Sequence, residues 1–276
     1  MAKLIGEVTV DISPPEFPKF KSPLILIHSL WTNSSCWIEW ATHFANLGWE
    51  CWSINFRGRA GWQEGELQRL TVEVCKEDLK TVIRNSAFPP VLLAHGFGGL
   101  VARQAAAEAE IAALIHLSSS PGDNSEMPRS LKLLRLKYGL LLFLRRAFSL
   151  TEKDFSAIYL NCVPREKRAA ILRRMTPESP HLVRDFLYGK PDLYLANIPY
   201  PQFLVGGSAD AIMPATSLRR LASRWHTDLL EYSGHGHWIM GEADGEKIVR
   251  DIHRRVVQKL GERVLLADFS SREDRG

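Results

Sequence analysis

Eleven residues near the middle of the chain form a setting in which a reactive group is readily held. In Val91-Leu92-Leu93-Ala94-His95-Gly96-Phe97-Gly98-Gly99-Leu100-Val101, an apolar run meets a turn of small residues, and a strong helix former follows. A nucleophile elbow requires this strand–turn–helix context, because the strained turn lifts its central side chain over the edge of a sheet. The central residue here is Gly96. It has no hydroxyl or thiol, so position 96 excludes the acyl-enzyme route that begins with a deprotonated side chain there. Glycine suits the strained backbone, which it enters without a Cβ clash, so the turn itself is expected to survive. Two further polar residues stand in glycine-rich segments, Asp210 in Gly207-Ser208-Ala209-Asp210 and His237 in Gly234-His235-Gly236-His237-Trp238. Alone, an aspartate after a strand reads as a helix cap.

The elements that must position these residues follow from pattern. Continuous apolar runs at residues 23–29, 49–56, 90–94, 112–117 and 201–205 predict strands buried on both faces of a parallel sheet. Between them, helical spacing buries Trp37, Trp40, Ala41, Phe44 and Leu47, with Gly48 as terminator, and later Val74, Leu79, Val82 and Ile83 within residues 71–85. Alternating strands and helices imply crossover units in an α/β fold with helices flanking a mostly parallel sheet. The alternation lapses over residues 122–199, where helices are predicted at 128–148, 153–161, 165–175 and 181–187. The division expected is a core of residues 1–121 and 200–266, a helical cap of 122–199 over the ligand-binding edge of the sheet, and a polar, fraying tail of 267–276.

Composition narrows the function classes. A net charge of +4 in 276 residues is a weak basic signal, concentrated at Arg129, Lys132, Arg135, Lys137, Arg145 and Arg146, and no nucleic-acid motif accompanies it. Cys36, Cys51, Cys75 and Cys162 lack CxxC spacing, so neither a metal site nor a disulfide framework is expected. The N-terminal segment lacks a charged-then-apolar leader, and no apolar run reaches the ~18 residues of a membrane span. A cytoplasmic chain is the expectation. The sequence says nothing of oligomeric state.

Taken together, these segments resemble the α/β-hydrolase superfamily over nearly the whole chain, in the esterase- and lipase-like form with a helical cap. The family's G-H-S-M-G-G appears here with Ala94 for the first glycine and Gly96 for the serine. His28-Ser29-Leu30-Trp31 stands where the family has an H-G-x-W oxyanion loop. The resemblance makes Asp210 the orienting acid, with the usual proline at Pro214, and His237 the base. It also assigns the oxyanion hole to the backbone N–H groups of Leu30 and Phe97. Ser29, in place of the loop glycine, is expected to stiffen the loop and alter the hole. His28, His95 and His235 read as structural histidines, and Asn55, replacing a common aspartate, as a turn residue. The site is expected to keep base, acid and anion hole, with a small void where the serine side chain would be.

Three readings of Gly96 stay open. In the first, the His237–Asp210 dyad does general acid/base chemistry without a covalent intermediate: water-mediated hydrolysis, decarboxylation or a lyase-type reaction. Methylketone-synthase-like members of the family lack the serine and decarboxylate 3-keto acids. In the second, the chain is a catalytically silent pseudo-hydrolase that binds a ligand or partner. In the third, it is a serine esterase carrying an engineered Ser-to-Gly change. Trp31 and Trp238, with Trp37, Trp62 and Phe97, are expected near the pocket. An apolar pocket suits a small lipophilic ester, ketone or keto acid, with no cofactor. The leucines between Leu131 and Leu144 read mostly as core between cap and sheet. The cations among them leave an anionic membrane surface or an acidic substrate as alternatives, and membrane contact is not the expectation.

Overall fold

The run Leu24–Ile27, four aliphatic residues without a polar break, has no face to offer water, and all four are buried in the centre of a sheet. The computed structural model describes residues 1–59, 64–119, 128–189 and 198–266. The predicted tail and Trp62 lie outside them. In chain order the elements are β1 (Ala2–Ile5), β2 (Val8–Ser13), β3 (Leu24–Ile27), α1 (Ile38–Asn46), β4 (Cys51–Asn55), α2 (Glu64–Arg69), α3 (Val72–Arg84), β5 (Val91–His95), α4 (Gly98–Ala106) and β6 (Ala113–Leu117). Next come α5 (Arg129–Phe143), α6 (Glu152–Ile158), α7 (Arg165–Leu172), α8 (Pro180–Tyr188), β7 (Gln202–Gly207), α9 (Ala215–Trp225), β8 (Asp228–Tyr232) and α10 (Gly245–Leu260).

The eight strands form one sheet in the order β1-β2-β4-β3-β5-β6-β7-β8. Neighbours from β4 to β8 pair in parallel, while β1 and β2 join antiparallel. The α/β class predicted from alternation is therefore found. Three strands went unread: the N-terminal hairpin β1–β2 and the edge strand β8. Both edges lack a continuous apolar run, since β1 is mostly exposed and no residue of β8 is fully buried. Parallel pairing turns the C-terminal ends of β3, β5, β7 and β8 to one edge. The segments after those four strands carry Ser29, Gly96, Asp210 and His237 respectively.

The helices between β6 and β7 match the predicted positions, with α5 ending at Phe143 rather than 148. One expectation fails within α5. Leu131, Leu134, Tyr138 and Leu142 are buried, but Leu133 (68%), Leu136 (82%), Leu140 (68%) and Phe143 (81%) face solvent. Apolar residues follow one another so closely here that one helix cannot turn them all inward. No helix of the described residues is long and apolar enough to cross a membrane.

Candidate functional site

The elbow is built by a fully buried strand running into a residue that only glycine enters without strain. All five residues of β5 are buried, and Gly96 then takes φ = +52° before α4 starts at Gly98. A residue with a Cβ would lose about 1–2 kcal/mol in that left-handed region. The Gly96 N–H donates to Leu117 O at 2.9 Å, which pins the turn to β6.

The expected void at position 96 is not there. A Cβ placed on Gly96 would lie 2.3 Å from Ser29 Oγ, 3.0 Å from Ser29 Cβ and 3.2 Å from His237 Nε2. The position thus faces the histidine, and the hydroxyl of Ser29 occupies the space. That hydroxyl accepts a hydrogen bond from the Phe97 N–H at 3.2 Å, the group assigned by resemblance to the anion hole. Complete burial pushes the pKa of the Tyr159 phenol up, and the nearby Ser29 hydroxyl pulls it the other way.

His237 and Asp210 meet as the resemblance implied. Nδ1 of the histidine lies 3.1 and 3.0 Å from the two Asp210 oxygens, and its side chain is 1% exposed. The carboxylate can only accept, so Nδ1 donates to it, and in the neutral imidazole Nε2 is left with the lone pair, facing Gly96. Asp210 is held by the N–H groups of Ile212 and Met213, each 2.8 Å from Oδ1. The two loops can approach because Gly207 has no side chain: a Cβ there would fall 2.0 Å from the His235 carbonyl oxygen.

Two residues fix the histidine's backbone. His95 donates from Nε2 to His237 O at 3.0 Å, and burial, with the nearby His237 adding to it, holds the His95 pKa well below the ordinary range. It is a neutral structural group, as its position in the elbow suggested. Glu242 accepts from the Gly236 N–H at 3.0 and 3.1 Å and from His235 Nδ1 at 3.0 Å, and burial pushes its own pKa up. Neither Glu242 nor Tyr159 was singled out from sequence. Tyr159 follows α6, and its ring stands edge-on to His237, centroids 4.9 Å apart.

The loop after β3 is anchored by charge. Trp31 takes φ = +58°, its N–H donates to Glu178 Oε2 at 2.8 Å, and its indole N–H donates to Phe148 O at 3.1 Å. Arg59 binds both Glu178 oxygens at 2.5 Å and donates to Thr32 O at 3.0 Å. Both charged side chains are essentially fully buried. Asn55 accepts from the Ser34 N–H at 2.8 Å, the turn role expected of it. Leu30, within this loop, is buried, and Trp37 lies in the core against Trp40.

Trp238 packs edge-on to His95 at 5.7 Å and borders a cavity of about 310 Å³ that also involves Thr32, Cys36, Ile171, Met175 and Met240. None of Ser29, Gly96, Asp210 and His237 lines that cavity. All four thiols have pKa values raised by burial, so no thiolate stands in at the elbow. Among the described residues no cluster of three or more His, Cys, Asp or Glu could hold a metal.

The sequence profile described as "Alpha/beta hydrolase family" matches residues 24–251. Among solved structures, a monoacylglycerol lipase from Paleococcus ferrophilus superposes with a TM-score of 0.66 at 19% identity, covering 90% of this chain and 98% of the other. MenH from S. aureus superposes at 0.70 with 18% identity, covering 91% and 98%. An esterase from Rhodococcus sp. ECU1013 superposes at 0.64 with 15% identity, covering 92% and 95%. At these identities the likeness is one of fold. A comparison with curated proteins finds no match.

Proposed function

Because the chain belongs to the alpha/beta hydrolase family, we propose that it is an enzyme in which His237 and Asp210 do general acid/base chemistry on a small lipophilic carbonyl compound. The observation that carries this reading is the dyad itself. Nδ1 is tied to both carboxylate oxygens while Nε2 lies 3.2 Å from where an elbow side chain would begin. A histidine so oriented takes a proton from an oxygen at the elbow and returns it to a leaving group. The Leu30 and Phe97 N–H groups are the proposed donors for developing negative charge, with Phe97 shared with Ser29 Oγ in the resting state. Residues 122–199 act as the cap, and Tyr159 packs its ring edge-on against the histidine. An ester, ketone or keto acid with an apolar body suits surroundings that include Phe97, Tyr159, Phe186 and Trp238.

The reading of an engineered serine loss is disfavoured by Ser29, which fills the elbow instead of leaving a hole. A silent binding protein is the second reading, favoured by one observation: a protein hydroxyl already bonds the Phe97 N–H. Turnover of short-chain p-nitrophenyl esters and of 3-keto acids by wild type and His237→Ala separates the two. The dyad reading expects a loss of about a thousandfold or more in the variant. Equal turnover by a folded His237→Ala protein sinks it.

A further inference from the structure

The hydroxyl missing from position 96 is supplied from the neighbouring loop. We propose that Ser29 is the nucleophile of this site, acting with His237 in place of an elbow serine. The proposal rests on the dyad reading above and goes beyond it, because it replaces a non-covalent mechanism with a covalent one.

Ser29 Oγ stands 2.3 Å from where a Gly96 Cβ would be, and His237 Nε2 stands 3.2 Å from the same point. A side chain at Gly96 and the Ser29 hydroxyl therefore compete for one place, and that place faces Nε2 of His237. Phe97 N–H donates to the Ser29 hydroxyl at 3.2 Å. That contact favours negative charge on Oγ as its proton leaves, which is how a weak nucleophile is activated. The backbone of Ser29 is fixed too. Its carbonyl accepts from His28 Nδ1 and Thr32 Oγ1, each at 2.8 Å. The residue is buried, so its hydroxyl is set by these bonds and not by bulk water.

The chemistry balances without any group the site lacks. Nε2 of His237 takes the Oγ–H proton as Oγ bonds to the ester carbonyl carbon, and the carbonyl electrons move to oxygen. As they return, the carbon–oxygen bond to the alcohol breaks, and His237 hands its proton to the departing alkoxide. Water then adds to the acyl group on Ser29 with His237 again as base. The acid departs, and Oγ regains its proton. Gly96 fits this scheme because any side chain there would displace the attacking oxygen.

The test is labelling of the intact protein by a fluorophosphonate, followed by peptide mapping, with p-nitrophenyl acetate turnover measured in parallel. The expected result is an adduct on Ser29, absent in Ser29→Ala and strongly reduced in His237→Ala, with turnover lowered about a thousandfold in both. Ser29→Cys, nearly isosteric, guards against a folding defect in the alanine variant: its thiol should take up an acetyl group from the ester in a His237-dependent way. No adduct on wild-type protein, or an adduct elsewhere, overturns the proposal. Turnover lost in His237→Ala but kept in Ser29→Ala also overturns it, while leaving the dyad reading intact with water as the attacking group. Turnover kept in both variants removes the dyad reading itself.

Discussion

Returning a serine to the elbow is the most direct perturbation, and the geometry makes its cost calculable. In Gly96→Ser the new Cβ must sit at φ = +52°, worth about 1–2 kcal/mol against a residue with a side chain. It must also meet Ser29. Rotating the Ser29 hydroxyl away clears the 2.3 Å contact but forfeits the Phe97 bond, and Ser29 Cβ remains at 3.0 Å, still tighter than ordinary packing. Overpacking of this kind adds about 1–3 kcal/mol. The single variant should therefore be less stable by roughly 2–5 kcal/mol, read from urea unfolding at constant m-value. Ser29→Gly removes the second contribution and leaves the first, so the double variant should recover about 1–3 kcal/mol as a coupling energy in a double-mutant cycle. Strict additivity, a coupling within about 0.5 kcal/mol, would show that the two side chains do not exclude each other and would refute the reasoning.

Asp210→Asn keeps the acceptor for the Ile212 and Met213 N–H groups but presents the wrong tautomer to His237; ester turnover should fall about 10³–10⁴-fold with little change in melting temperature. Glu178→Gln leaves Arg59 charged and buried without its partner and should cost about 3–5 kcal/mol, whereas Arg59→Met with Glu178→Leu should restore most of that in the same unfolding assay. His28, His95 and His116 are fully buried with pKa values depressed by burial, His116 to about 3. Each stays neutral in the folded protein but protonates near pH 6.5 once unfolded, so stability is complete above that pH and falls as pH drops toward about 3. The slope is up to about 1.4 kcal/mol per pH unit for each histidine, and His116→Gln should flatten the acid limb by one such share. An unchanged limb in that variant would mean His116 is not held neutral.

The parallel centre of the sheet was legible because strands buried on both faces must be apolar throughout, as in Leu24–Ile27 and Val91–His95. β1 and β8 lie at the edges, where half-exposed residues leave no such run, and they were missed. The dyad was legible through resemblance alone: Gly207-Ser208-Ala209-Asp210 and Gly234-His235-Gly236-His237 match short family motifs, whereas by itself Asp210 reads as a helix cap. Ser29 was read as a residue that stiffens a loop, because its significance depends on what stands opposite it across the sheet edge. A pairing between positions 29 and 96 leaves no periodic trace. The leucines of α5 were misassigned for a related reason: spacing names the residues of each face but not which face has a neighbour.

The Arg59–Glu178 pair has a consequence for the molecule's internal motions. Glu178 holds the Trp31 N–H, Thr176 N–H donates to Trp31 O at 3.1 Å, and the main chains of Phe148 and Glu178 exchange hydrogen bonds. The loop bearing Ser29 is thus stitched to segments from between α5 and α6 and between α7 and α8. Loops of this kind commonly open alone on a timescale far shorter than global unfolding. Here the amides of residues 30–32 should lose their hydrogen-exchange protection together with those of 176–178, as one cooperative unit. The attacking hydroxyl would then inherit its rigidity from helices remote in sequence from the strand that carries it.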